Sequence, residues 1–436
     1  MRTLILDCND KIGEKVTISG WVHTKRDHGK MVFLDVLDRT GLIQVFVSGD
    51  NIPNLAPQDV VSITGTVAKR PEKLVNQNIP TGEIELQSEK IEVLSKAAEL
   101  PFDMGGKDLD LQLPTLLDNR SLTLRHPKVK SIFKVQEAVM KGFRKAAKNI
   151  DCTEIFVPTI SASATEGGAE VFKVDYYGHP AYMVQSPQLY KQMLVPVFER
   201  VFVIAHAYRA EPSVTTRHLS EVVMMDCEIG FAEFSELLDL MEQVAIEMIK
   251  SVEEKYGKVF EEFGVEKVSF GIIPRLKITE AQEIVFKEFG RDSRGEKDLA
   301  PQDEIDICKW AKERHNSDFV TITHFPTKKR AFYTMPDPED PEYSLSYDLL
   351  FRGEEILSGS QRINDYDQLV EAIKSRGMEP KDFEMYLQAF KYGMPPEGGF
   401  SFGLERVTRK ILELDNIRQA SLFPRDMERV DIRLNK

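Results

Sequence analysis

The chain has 436 residues, 42% of them hydrophobic and 29% charged, with a formal net charge of −13. That length allows two or three domains with separate cores, and the acidity excludes broad electrostatic adhesion to nucleic acid, so any RNA contact must be local and specific. No apolar run reaches the length of a membrane span, Met1–Asp7 is too short an apolar start for a signal peptide, and Cys8, Cys152, Cys227 and Cys308 lack the spacing of a disulfide framework or zinc site, which points to a reducing, cytoplasmic setting.

Residues 1–100 read as short strands. Val16-Thr17-Ile18-Ser19-Gly20-Trp21-Val22 alternates, with Val16, Ile18 and Val22 on one face. Further runs lie at Met31–Val36, Leu42–Val47, Val60–Val67 and Ile84–Val93, separated by turn residues. This pattern predicts a small closed barrel of the OB type. Residues 101–127 have little periodicity and read as a hinge carrying a short helix or turn.

Residues 128–436 read as one α+β domain. Val129, Ile132, Val135, Val139 and Phe143 recur at helical spacing, which predicts a long helix over 128–149. Strands are expected at Glu154–Pro158, Ala181–Val184, Val201–Tyr208, Phe319–Thr323, Ser346–Phe351 and Glu355–Ser358. Amphipathic helices are expected from Ser235 and over Tyr366–Arg376 and Pro380–Phe390. The β-α alternation of a parallel sheet is missing, so the sheet is expected to be antiparallel.

Three stretches carry chemistry. In the first, Tyr208-Arg209-Ala210-Glu211 and Thr215-Thr216-Arg217-His218-Leu219 precede a strand that ends in Asp226-Cys227-Glu228. Arginines at both ends of one loop suit carboxylate and phosphate, because the guanidinium is bidentate and permanently charged. A surface hairpin with solvated ion pairs fits the same residues. In the second stretch, Tyr347–Arg362, the pair Glu355 and Ser358 offers a carboxylate and a hydroxyl suited to Mg²⁺ beside triphosphate oxygens. A regular strand would not turn both to one side, so a local distortion is needed; an acidic strand edge is the alternative. In the third, Gly398-Gly399-Phe400-Ser401-Phe402-Gly403-Leu404-Glu405-Arg406 fits either a nucleotide seat, with glycines making room for a planar ligand, or a glycine-rich turn before a surface helix.

Together these stretches resemble motifs of the class II aminoacyl-tRNA synthetases, in order: Pro158 after a long helix, the Tyr208–Glu211 hairpin, and Gly403-Leu404-Glu405-Arg406. The chain is most similar to aspartyl-tRNA synthetases of the archaeal and eukaryotic kind. Thr165–Phe172, Gln185-Ser186-Pro187-Gln188-Leu189-Tyr190-Lys191-Gln192 and Tyr392-Gly393-Met394-Pro395-Pro396 match that group, over nearly the whole chain. The resemblance implies a class II catalytic domain at 128–436 behind an anticodon-binding OB barrel. It implies a cytoplasmic homodimer, built on the long helix and Pro158, that joins L-aspartate to tRNA(Asp) with ATP and Mg²⁺.

The resemblance also implies roles. Glu166 would meet the substrate ammonium, and Gln188, Lys191 and Arg362 the aspartate. Arg209 would bridge substrate carboxylate and α-phosphate, and Ala210, Glu211, Arg217, His218 and Leu219 match the ATP loop. His218 and Arg406 would sandwich the adenine, next to Gly403, Leu404 and Glu405, while Glu355 and Ser358 match the Mg²⁺ ligands. No protein nucleophile is needed: two arginines and a metal offset the charge of joining two anions.

Two cations, Lys191 and Arg362, favour an acidic over an amide side chain, because buried unpaired cations are costly. In the barrel, Phe33 and Gln44 face outward and, with Arg26 and Glu85, fall where the family reads the anticodon. The stretch between Phe231 and Glu355 is too short for the large insertion of bacterial aspartyl enzymes, yet Arg70-Pro71-Glu72 and Pro80–Glu85 look like the bacterial barrel. His23 lies where relatives of relaxed specificity, which also charge tRNA(Asn), often carry histidine; Lys73 resembles the stricter relatives. Asparagine–tRNA ligase, a tRNA-free amide-forming paralogue and a noncatalytic RNA-binding module are the alternatives.

Overall fold

The alternation read in the first hundred residues closes into a barrel. The computed structural model describes residues 2–29, 31–48, 53–162, 170–212 and 215–434. Its two compact units are Met1–Leu116 and Leu117–Lys436. In the first, strands β1 (Lys15–Asp27), β2 (Met31–Leu37), β3 (Leu42–Ser48), β4 (Val60–Lys69) and β5 (Ile84–Ser95) close in the order β1-β2-β3-β5-β4. Ile18, Val22, Leu34, Val36, Val45, Ile63 and Leu86 fill the interior. Each such side chain withdrawn from water contributes roughly 1.5–3 kcal/mol. β3 and β5 are parallel and pair Gln44 with Glu85. A bulge between Val22 and Thr24 steps β1 across β2.

After the short helices α1 (Leu113–Asp118) and α2 (Arg120–Thr123) comes α3 (Pro127–Asn149), with proline at its first turn, where a missing N–H costs nothing. Then follow β6 (Thr153–Glu154), β7 (Ile160–Ser161), β8 (Lys173–Tyr176), β9 (His179–Met183), α4 (Gln188–Met193), α5 (Val195–Phe198), β10 (Arg200–Tyr208), β11 (Glu221–Gly230) and α6 (Phe234–Tyr256). The chain continues through α7 (Val259–Phe263), β12 (Arg275–Lys277), α8 (Ile278–Phe289), α9 (Pro301–His315), β13 (Phe319–Thr323), β14 (Ser346–Phe351), β15 (Glu354–Gln361), α10 (Tyr366–Ser375), α11 (Glu384–Lys391), β16 (Glu397–Gly403) and α12 (Leu404–Ile411).

Eight strands form one sheet in the order β12-β13-β14-β15-β16-β11-β10-β6, antiparallel except for the outermost pairs β12·β13 and β10·β6. The stripes of α3 (Val135, Val139, Phe143) and α6 (Leu237, Met241, Val244, Met248) join the core with Phe202, Cys227, Phe400 and Phe402 of the strands. At Gly142 a Cβ would strike the Met248 backbone, so glycine sets how closely α3 meets α6.

Several expectations need correction. The run Glu154–Pro158 is a strand only over Thr153–Glu154, since pairing with β10 ends after the Ile155 N–H bonds the Phe202 carbonyl. The β12-to-β13 crossover through α8 and α9 is parallel, against the expectation of a purely antiparallel sheet. The turn at Pro380–Phe383 is 3-10 rather than α-helical. Gly398–Gly403 is neither a turn nor a loop but the central strand β16, hydrogen-bonded on both sides.

Candidate active site

The loop between β10 and β11, with β11, β15, β16 and the start of α12, lines an open cleft of about 680 Å³. Arg209, Glu211, Arg217, His218, Leu219, Glu355, Ser358, Gly403, Glu405 and Arg406 surround it, so most of the expected nucleotide-site residues share one space. Val222 and Met224 add an aliphatic wall that spacing alone did not single out, although strand alternation puts them on one face of β11. Two expected residues are elsewhere. Ala210 borders a separate cavity, and Leu404 is 2% exposed and part of the main core, where a helix's first apolar residue packs against the sheet.

Charges in the cleft are held by neighbours. Arg217 pairs with Glu304 of α9 at 2.8 Å, a partner far away in sequence, and burial lifts the Glu304 carboxyl to about 7 against the pull of Arg217. His218 lies 3.4 Å from Glu211 and bonds Thr215. The Arg406 Nη1 donates to the Glu355 carbonyl at 3.0 Å and lies 3.5 Å from its carboxylate. Both Glu405 oxygens accept from the Val223 N–H, and burial raises its carboxyl to about 7.

The distortion expected on β15 is present. Leu349 faces Leu357 while Leu350 faces Glu355, so Ile356 is bulged out of register and Glu355 and Ser358 both reach the cleft. Behind Ser358, Asp348 pairs with Arg330 at 2.6 Å, and Arg330 donates to the Ser358 hydroxyl at 3.1 Å. Asp348 Oδ1 is buried with no hydrogen-bond partner. Among the described residues no group of three or more His, Cys, Asp or Glu could hold a metal. Two hard oxygen donors with a spare carboxylate oxygen nearby do suit Mg²⁺ if phosphate and water complete its shell.

A buried ionic cluster borders the cleft. The cleft-lining Ser401 donates to Asp226 at 2.6 Å, and Lys191 lies 2.9 Å from Asp226 and 3.0 Å from Glu228. Arg362 bonds Glu228 at 2.7 Å, Ser360 at 2.6 Å and Gln188 at 3.3 Å. This overturns one step of the sequence argument: the two cations are not unpaired, because Asp226 and Glu228 already balance them. The buried Gln188 Nε2 nevertheless has no hydrogen-bond partner among the described residues. The glycines also act differently from expectation. A Cβ on Gly399 would collide with the Glu228 carboxylate and one on Gly398 with Leu237, so both make room for protein atoms. Only Gly403 borders the cleft. Glu166 lies outside the described residues.

On the barrel, Arg26 donates to Gln44 at 3.2 Å and Gln44 to Glu85 at 3.0 Å. Phe33 packs on Phe46 at 5.4 Å between ring centres. The four residues expected at the anticodon thus share one outer face, with Asp35, which accepts from Arg26 at 3.1 Å, as a member that the same alternation places there. His23 is the bulged residue of β1 and is buried, whereas Lys73 is exposed on a 3-10 turn.

Residues 112–427 match the family of class II tRNA synthetases (D, K and N), and residues 16–94 match the OB-fold nucleic acid binding domain. The chain belongs to the class II aminoacyl-tRNA synthetases of this aspartate, lysine and asparagine group. It is 41% identical to the aspartate–tRNA(Asp/Asn) ligase of Thermus thermophilus, over 99% of this chain and all of that one. It is 39% identical to the aspartate–tRNA(Asp) ligase of Pyrococcus horikoshii, over 96% of each. Among solved structures it resembles the asparaginyl-tRNA synthetase of P. horikoshii complexed with asparaginyl-adenylate, with a TM-score of 0.90 at 31% identity over 99% of each chain. It also resembles a putative aspartyl-tRNA synthetase of Leishmania major, with a TM-score of 0.89 at 28% identity over 98% of this chain and 94% of that one.

Proposed function

We propose that the protein is an aspartate–tRNA ligase. Its first step joins an aspartate carboxylate oxygen to the α-phosphorus of ATP and releases diphosphate; its second passes the aspartyl group to the terminal ribose hydroxyl of tRNA(Asp) and releases AMP. The observation that carries the acidic substrate is the convergence of the buried cations Arg362 and Lys191 with Gln188, whose buried Nε2 has no hydrogen-bond partner among the described residues. A carboxylate would accept from Gln188 Nε2 and bring the charge a permanent guanidinium favours.

In this reading the cleft holds ATP. Arg209 meets the reacting carboxylate and α-phosphate, and His218 and Arg406 flank the base. Arg217 leaves Glu304 for the phosphates. Glu355 and Ser358 would hold Mg²⁺, which when bound offsets phosphate charge. Arg26, Phe33, Gln44 and Glu85 read the anticodon. Phe156, 89% exposed just after the edge strand β6, offers an apolar side chain suited to a two-fold partner. A cytoplasmic setting fits four buried free cysteines.

The internal balance of Lys191 and Arg362 against Asp226 and Glu228 favours one competitor, a neutral asparagine substrate. Pyrophosphate exchange with aspartate and asparagine side by side tests the two. Exchange with aspartate alone is expected, and exchange with asparagine alone would overturn the assignment. Charging both transcripts with aspartate tests the relaxed specificity that His23 favours: product on tRNA(Asp) alone would refute it.

A further inference from the structure

The ionic cluster contains a third carboxyl that substrate binding does not use. Glu397, the first residue of β16, is 0% exposed. Its Oε1 accepts from Gln192 of α4 at 2.7 Å, and Gln192 in turn accepts from the Tyr386 hydroxyl of α11 at 3.1 Å. Its Oε2 meets no donor, and the Glu228 carboxylate of β11 lies within hydrogen-bonding reach. Two buried carboxyls in contact need a shared proton. Arg362 and Lys191 hold Glu228 ionised although burial opposes it; among the described residues, the only polar group bonded to the Glu397 side chain besides Glu228 is a neutral amide. Burial, and then the charge of Glu228, push the Glu397 carboxyl well above the usual range, with Arg362 opposing.

We propose that Glu397 is a neutral acid and a positioning residue: its one O–H donates to Glu228 and keeps that carboxylate turned onto Arg362 and Lys191, ready for the substrate's acidic side chain. The proton matters for charge as well as geometry. With Glu397 neutral, Lys191 and Arg362 balance Asp226 and Glu228. An ionised Glu397 would give the cluster a net negative charge and repel an incoming carboxylate. The proposal rests on the aspartate reading for its substrate, but the protonation it assigns does not.

Two measurements on the full-length enzyme test it. In the infrared difference between wild type and Glu397→Gln at neutral pH, the carbonyl stretch of a protonated carboxylic acid should appear; its absence overturns the proposal. In pyrophosphate exchange, Glu397→Gln keeps a donor and should raise the KM for aspartate less than about threefold, while Glu397→Ala should raise it about tenfold or more with the KM for ATP unchanged. Equal impairment by both variants would refute the hydrogen-bond role. If the alanine variant does not fold, the infrared band and the glutamine variant decide. A wild type that fails to exchange with aspartate sinks the substrate reading alone and leaves the infrared test standing.

Discussion

Arg362 shows how much one residue carries. Its guanidinium is buried and meets Glu228, Ser360, Gln188 and the Gly399 carbonyl. Arg362→Leu should abolish pyrophosphate exchange with aspartate while leaving ATP binding by calorimetry intact; retained exchange would refute its role. Glu405 makes a prediction about pH. Its carboxyl rises from 4.5 to about 7 on folding, so the folded state binds the extra proton. Its contribution is full below pH 4.5 and is lost as pH climbs through 7, at most about 3 kcal/mol. Glu405→Gln should therefore raise Tm at pH 8 and not at pH 4.5, and equal shifts at both would contradict this. Arg209, Arg217, Glu355 and Arg406 were legible in sequence because their motifs are local. Glu304, Asp348 and Glu397 were not, because each is brought in by a different strand or helix and sits in no local pattern.

At the scale of elements, β16 and β15 decide the site. The glycines of β16 look alike in sequence but meet different surroundings. Gly399→Ala would drive a methyl into the Glu228 carboxylate and the Cys227 carbonyl, whereas at Gly403 the same methyl would lie 3.7 Å from Arg406, an ordinary contact. Denaturant titration should show a loss of about 3 kcal/mol for Gly399→Ala and under about 1 kcal/mol for Gly403→Ala. Comparable losses would mean the strand can give way. The bulge at Ile356 was anticipated as a chemical need, since Glu355 and Ser358 cannot share a side of a regular strand. Its position was not readable, because a bulge is set by pairing with β14. The helices α8 and α9 escaped for a related reason: their apolar residues pack on the outer strands in a separate small core.

At the scale of the whole molecule, the barrel and the catalytic unit each bury a core of their own. Phe156 is 89% exposed just after the edge strand β6, where the proposed two-fold contact would cover it. Phe156→Asp should convert a dimer to a monomer in sedimentation velocity, because a carboxylate at the centre of an apolar contact is desolvated without a partner. An unchanged dimer would place the interface elsewhere. No helix among the described residues is long and apolar enough to cross a membrane.

The sequence by itself determined the barrel, through strict alternation, the long amphipathic helix over 128–149, and the family, through motifs whose residues are contiguous. Those features depend on neighbours along the chain, and period and spacing record them. Only the tertiary structure decided what balances Lys191 and Arg362, what the glycines of β16 make room for, and how Glu355 comes to share a side with Ser358. Each of these depends on which strand lies next to which, and that is settled by packing across the sheet.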